Sequence, residues 1–105
     1  MRKPKGQMGS WFAIWNGEKF PCVHERWTRG TWPEYVDPEV DDQPEWAPFI
    51  AALQEGHKAL LTTSEIPPDG GAWHRTGYIA LYEIEGVRRE GDVLRFKFVR
   101  RLQSF

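Results

Sequence analysis

From Asp92 to Leu102 apolar and charged residues alternate: Leu94, Phe96 and Phe98 share one side, Arg95 and Lys97 the other. That period of two predicts a strand with one buried and one solvated face. The preceding run, Tyr78 to Ile84, is apolar almost throughout and predicts its hairpin partner, with the turn at Arg88-Arg89-Glu90-Gly91. A different spacing governs the middle of the chain. Trp46, Phe49, Ile50 and Leu53 fall at i, i+3, i+4 and i+7, the stripe of a short helix with one buried face. Asp42 with Glu45 resembles a capping box, but a start near Ala47 places Pro48 at the first helical position, where no N–H is needed. Gly56 supplies the stop.

Towards the N-terminus, Ser10 to Trp15 predicts a buried aromatic strand ending at Asn16-Gly17, residues that tolerate the positive φ angles of a tight hairpin turn. The return strand runs from Lys19 to about Trp27, with Pro21 restricting it to an edge or a bulge. Thr31 to Val36 is a candidate short strand, and Lys58 to Ser64 another. Asp37 to Pro48 and Ile66 to Ala72 read as loops, the first acidic and proline-spaced, the second rich in Pro and Gly. The expected fold is α+β, mainly β: a small curled antiparallel sheet or β-barrel with one short covering helix. Residues 1–9 form a basic flexible tail on a single domain spanning 10–105.

Charge sharpens this picture because it is unevenly spread. Residues 1–30 carry six basic and two acidic groups, residues 31–55 seven acidic and none basic, and residues 86–105 six basic and two acidic. If the two basic ends meet, they make a positive face opposite a negative one, able to orient a polyanion. A lone cysteine, Cys22, excludes an internal disulfide framework and fits a reducing, cytoplasmic setting. No apolar run approaches bilayer length, so no membrane partner is expected.

Candidate chemistry is sparse. Cys22, His24, His57 and His74 match no zinc spacing, Cys22 has no evident catalytic partners beyond His24, and Asp69-Gly70-Gly71 lacks the residues of a phosphate loop. No metal, cofactor or catalytic residue is assigned. What stands out is aromatic: six Trp, six Phe and three Tyr. Most of these rings are expected in the core. Trp73, between a Pro/Gly loop and His74-Arg75, either folds back on the core or offers a ring for a ligand.

The text Leu53 to Ser64, then Thr76 to Ile84, then the basic-aromatic strand Leu94 to Leu102, resembles the PUA-like superfamily, and within it the EVE and ASCH domains. The aromatic strand Trp11 to Trp15 is similar to the first strand of EVE domains. Gly17-Glu18-Lys19 followed by Glu25-Arg26 is similar to the ASCH Gly-x-Lys…Glu-x-Arg motif, at longer spacing, and His57 stands where the family usually has Asp. The resemblance implies a small β-barrel whose pocket accepts a modified or flipped-out nucleobase in DNA or RNA.

A base out of its stack needs an aromatic slot, hydrogen bonds to its edge and cations for the flanking phosphates. Trp11, Trp32 and Trp73 are the expected pocket walls, and Ser64 and Thr62, with Thr63, the edge contacts. Arg75, Arg88, Arg89, Arg95 and Lys97, with Arg100 and Arg101, are the expected phosphate contacts. One alternative is a non-enzymatic protein-binding module or inhibitor that uses the acidic, Trp-containing segment 31–46. A second is a small ASCH-like nucleoside amidohydrolase relying on Lys19 with Glu25 or Glu83.

Overall fold

The computed structural model describes residues 5–6, 11–65 and 74–105, with side chains at 11–63 and 77–105. Its chain order is β1 (Lys5–Gly6), β2 (Phe12–Trp15), β3 (Glu18–His24), a 3₁₀ turn (Glu25–Thr28), β4 (Glu34–Asp37), α1 (Trp46–Gly56), β5 (Lys58–Glu65), β6 (His74–Glu90) and β7 (Val93–Ser104). The strands form one sheet in the order β1-β2-β3-β5-β6-β7-β4. It is mainly β with one helix, as the patterning predicts, and among the described residues no ladder joins its two end strands to close a barrel. Lys5 and Gly6, inside the expected tail, pair with Ile14 and Ala13.

The local signals act where they are written. Asn16 and Gly17 both take positive φ, 53° and 76°, and Trp15 pairs with Glu18 across that turn. Helix α1 buries the four residues of its stripe, Trp46, Phe49, Ile50 and Leu53, each contributing about 1.5–3 kcal/mol relative to exposure. Pro48 sits in its first turn, where it breaks no helical hydrogen bond. The stop comes one residue later than expected: Gly56 is still helical and His57 adopts the left-handed conformation, φ 53°, its N–H donating to the Leu53 carbonyl at 3.1 Å. Glu45 precedes the helix without a side-chain cap, so no capping box forms.

Three features depart from the expected pattern. The β3–β5 pair is parallel, matching Cys22, Val23 and His24 with Leu60, Leu61 and Thr62, whereas the other pairs are antiparallel. Its crossover runs through β4 and α1, a long-range connection that no local motif announces. Pro21 is therefore in an interior strand, but it lies one residue before the ladder with β5 begins, so its missing N–H is not needed there. Second, Arg88 and Arg89 belong to β6, not to the turn. The strand passes an irregularity at Glu85–Arg88, where Gly86 takes φ +69°, and turns only at Gly91-Asp92.

Third, the basic ends do not share one end of the sheet. β1 and β7 are separated by β2, β3, β5 and β6, and the strand beside β7 is β4 from the acidic segment. Acid and base are neighbours here, because burying Tyr35 against Phe96 requires that pairing.

Side chains pack on both sheet faces. The larger cluster gathers under α1 and includes Val23, Tyr35, Leu61, Tyr82, Leu94, Phe96 and Phe98. A smaller one holds Ala13, Phe20, Cys22, Leu60 and Leu81, flanked by Trp15, Tyr78, Leu102 and Phe105. Cys22 is thus a buried small side chain.

Candidate functional site

A half-exposed tryptophan needs a scaffold to hold it, and Trp32 has one. Its backbone N–H donates to the Thr28 carbonyl at 3.0 Å, and Thr31 Oγ1 donates to the Glu34 carbonyl at 2.9 Å. Phe98 N–H donates to the Pro33 carbonyl at 2.9 Å, extending the β4–β7 ladder by one bond. The turn is therefore fixed on both sides of the ring.

Beneath the ring lies an aromatic ladder. Trp32 stacks on Phe98, centroids 4.9 Å apart and planes 17° from parallel, and meets Tyr82 edge-on at 5.5 Å. Phe98 continues to Phe96 at 5.3 Å, and Phe96 stacks on Tyr35 at 4.5 Å. Such contacts each contribute about 0.5–1.5 kcal/mol beyond area burial. With one face on Phe98 and 51% of its surface exposed, Trp32 turns its other face to solvent. Trp32, Val99 and Ile14 are the large apolar residues exposed among the described ones, and the first two line the same open groove of about 340 Å³.

Cations rim that groove. Lys97, Arg100 and Arg101 line it, with Glu85 as its carboxylate. Arg101 is held in place: Nε and Nη2 donate to the Tyr82 hydroxyl at 3.1 and 2.9 Å, and its guanidinium lies 5.5 Å from the centre of that ring. Arg100 pairs with Glu83 at 3.3 Å, an exposed contact of small energetic weight that leaves other donors free. Lys97 makes no ion pair among the described residues. Across the sheet it stands in a row with Glu34 on β4 and Glu85 on β6.

The groups with displaced proton affinities lie elsewhere. Burial, reinforced by the nearby Asp37 carboxylate, pushes the Tyr35 phenol far above its ordinary range, and burial also raises Asp37. Asp41 is lowered by the hydrogen bonds it accepts from Gln43 and Trp46. None of the three lines the Trp32 groove, whose chemistry is stacking and charge.

Of the expected pocket walls, Trp32 stands beside Lys97, but Trp11 does not join them. Its ring meets Trp46 at 4.5 Å and Phe49 at 5.2 Å, on the α1 side of the core. Trp73 lies outside the described residues, as do the side chains of Ser64 and Arg75. Thr62 is fully buried, its Oγ1 donating to the Val23 carbonyl at 3.0 Å across the parallel pair, where it braces the sheet and does not line the Trp32 groove.

Arg88 and Arg95 share Glu90 at 3.1 and 3.2 Å. Together with Lys97 they line a second depression of about 200 Å³ adjoining the first. Arg89 reaches the Gly91 and Asp41 carbonyls at 2.8 and 3.2 Å, latching the β6–β7 turn to the acidic loop.

The residues of the hydrolase alternative each make a local contact. Lys19 sits 4.4 Å over Phe12, Glu25 pairs with Arg29 and Glu83 with Arg100. Tyr82, Phe98 and Glu85 are the site residues that patterning missed. The first two alternate as core positions, and only the exposed ring above them reveals a second use.

No family model matches the sequence, and no curated protein or solved structure does either, so what this shelf binds has to be judged from its own geometry.

Proposed function

We propose that the Trp32 groove binds single-stranded nucleic acid. An unpaired base stacks on the open face of Trp32, and Lys97, Arg100 and Arg101 face the adjoining phosphates. The observation that carries this is the placement of a half-exposed indole, backed by Phe98 and Tyr82, in the same groove as three cations. Stacking on such a ring stabilises by about 1–3 kcal/mol per base and requires no enclosed pocket. The groove is open, which suits a base already free of its stack and makes no demand for a closed barrel. The likeness of residues 49–102 to PUA-like domains points the same way, and we carry it as part of this proposal.

The protein-binding alternative draws less support. Segment 31–46 keeps exposed carboxylates at Glu34, Glu39, Asp42 and Glu45, but its exposed ring, Trp32, opens on a groove lined by three cations. Trp46 and Asp37 are 8% and 6% exposed, and Asp41 is engaged by Trp46 Nε1 at 2.8 Å. These last three hold the segment in place. The test is titration of the chain with a fluorescent pentauridylate at several salt concentrations. Binding should weaken linearly in log–log form as salt rises, with Trp32→Ala losing about 1–3 kcal/mol of affinity. Equal affinity for Trp32→Ala and parent ends the proposal.

A further inference from the structure

The Trp32 groove does not lie on one face of the sheet. Tyr82, Ile84, Phe96 and Phe98 belong to the core under α1, so the residues alternating with them, Glu83, Glu85 and Lys97, project from the reverse face. Simple alternation beyond Phe98 would put Arg100 on the face of Phe98 and Arg101 behind it. The ladder prevents this. Ile84 pairs with Phe98 but Glu83 pairs with Arg100, so Val99 is an extra residue that resets the phase. Arg101 consequently stands opposite Tyr82 and donates to its hydroxyl, on the face that carries Trp32. Arg100 stands opposite Glu83 and pairs with it on the reverse. Trp32, Tyr82 and Arg101 thus line the groove from the front, and Lys97 and Arg100 line it from behind.

A groove reaches both faces only where the sheet stops. β4 leaves β7 at Pro33, whose carbonyl accepts the last bond of that ladder from Phe98. From Val99 to Ser104, β7 has β6 on one side and, among the described residues, no strand on the other. Val99, Arg100 and Arg101 are exposed along this edge. An open edge invites a further strand, and charged side chains and a bulge discourage one. Here the same features leave a rim with a guanidinium on each side, Arg101 in front and Arg100 behind.

We propose that the bound strand crosses the sheet at this rim: its base lies on Trp32, one phosphate beside that base meets Arg101, and a neighbouring phosphate meets Arg100 on the reverse face. The proposal rests on the stacking function given above and adds the path and the ligand class. A chain that rounds a strand edge must bend between neighbouring phosphates. A single strand does so, whereas a duplex, with a persistence length of about 150 base pairs, does not. The ligand is therefore a flexible single strand with at least two phosphates next to the stacked base, and a mononucleotide fills only the front half. Neither contact reads sequence, so the rim fixes position and direction while leaving base choice open.

The experiment uses the full chain and a five-residue strand with one uracil, at its centre, and abasic sugars elsewhere, so that the single base fixes the register on Trp32. Arg100→Ala and Arg101→Ala should each weaken binding and lower the slope of log affinity against log salt by about 0.7. Each of the four phosphates is then replaced in turn by an uncharged methylphosphonate. One replacement should cancel the loss caused by Arg101→Ala, and a different, neighbouring one the loss caused by Arg100→Ala. Arg100→Ala binding like the parent, or both losses cancelled by the same replacement, keeps the strand on the front face and overturns the crossing. A parent that binds pentauridylate but not the single-base strand overturns it too, because one stacked base with its own phosphates should suffice. In each of these cases, loss of pentauridylate binding in Trp32→Ala leaves the stacking function standing. A parent that binds neither strand removes both.

Discussion

Trp46 and Trp32 belong to two separate groups of touching rings, and their surroundings make them different tools. Trp46 enters on α1, is nearly buried, meets Trp11 and Phe49, and donates its indole N–H to Asp41. Trp32 enters on a hydrogen-bonded turn, lies over Phe98 and keeps half its surface in water. The first ring fills space that nothing else would fill. The second rests on a core that is already complete beneath it. An aromatic that ends a stack is held rigidly at little cost while one face stays available, which is the condition for lending it to a ligand.

The sharpest way to break this comparison is to remove each ring in turn. Trp46→Ala should cost about 3–5 kcal/mol in urea unfolding, because it leaves a cavity between α1 and the sheet. Trp32→Ala should cost only about 1 kcal/mol of stability while losing about 1–3 kcal/mol of oligonucleotide affinity, measured by fluorescence anisotropy. Equal stability losses for the two would show that Trp32 is a core residue after all.

Lys97→Ala tests the rim and not the shelf: it should lower the slope of log affinity against log salt by about 0.7, with unfolding midpoints nearly unchanged. The smallest effect concerns Asp41. Its folded carboxyl titrates below its unfolded value, so the stability it contributes is present above the ordinary carboxylate range and is lost as pH falls through the lowered value. Asp41→Asn should flatten that acid-side loss in denaturant midpoints across the acidic range. An unaltered acid profile would detach Asp41 from the Trp46 end.

Much of the architecture could be read from short-range signals. Asn16-Gly17 sets a hairpin, the Trp46–Leu53 stripe sets a helix, and the alternation of Leu94, Phe96 and Phe98 sets a strand face. The pairing of β3 with β5 could not, because its partners are brought together only after β4 and α1 intervene. Nor could the length of β6, since Arg88 and Arg89 look like turn residues until Gly86 is seen to absorb the irregularity. In the site, Trp32 and Lys97 were identifiable by type. Trp11 and Thr62 were equally plausible by type, and only their places in the fold, one against Trp46 and Phe49 and the other fully buried, separate them from the groove. Residue chemistry nominates candidates, and the sheet order decides which of them meet.

The smaller cluster on the reverse of the sheet has a consequence for synthesis. Its members are far apart in the sequence: Ala13, Phe20 and Cys22 from the first hairpin, Leu60 from β5, Leu81 from the middle of β6, and the flanking Leu102 and Phe105 from β7 and just beyond it, with Phe105 5.5 Å from Trp15. A ribosome producing this protein therefore releases its first hairpin long before anything exists to cover it. Phe20 and Cys22 stay wet until β5 and β6 arrive, and Trp15 gains its edge contact only once β7 is followed by Phe105. Elongation leaves this patch as the surface that a nascent-chain chaperone would meet, and Leu102→Ala with Phe105→Ala should strip its lid without touching the face under α1.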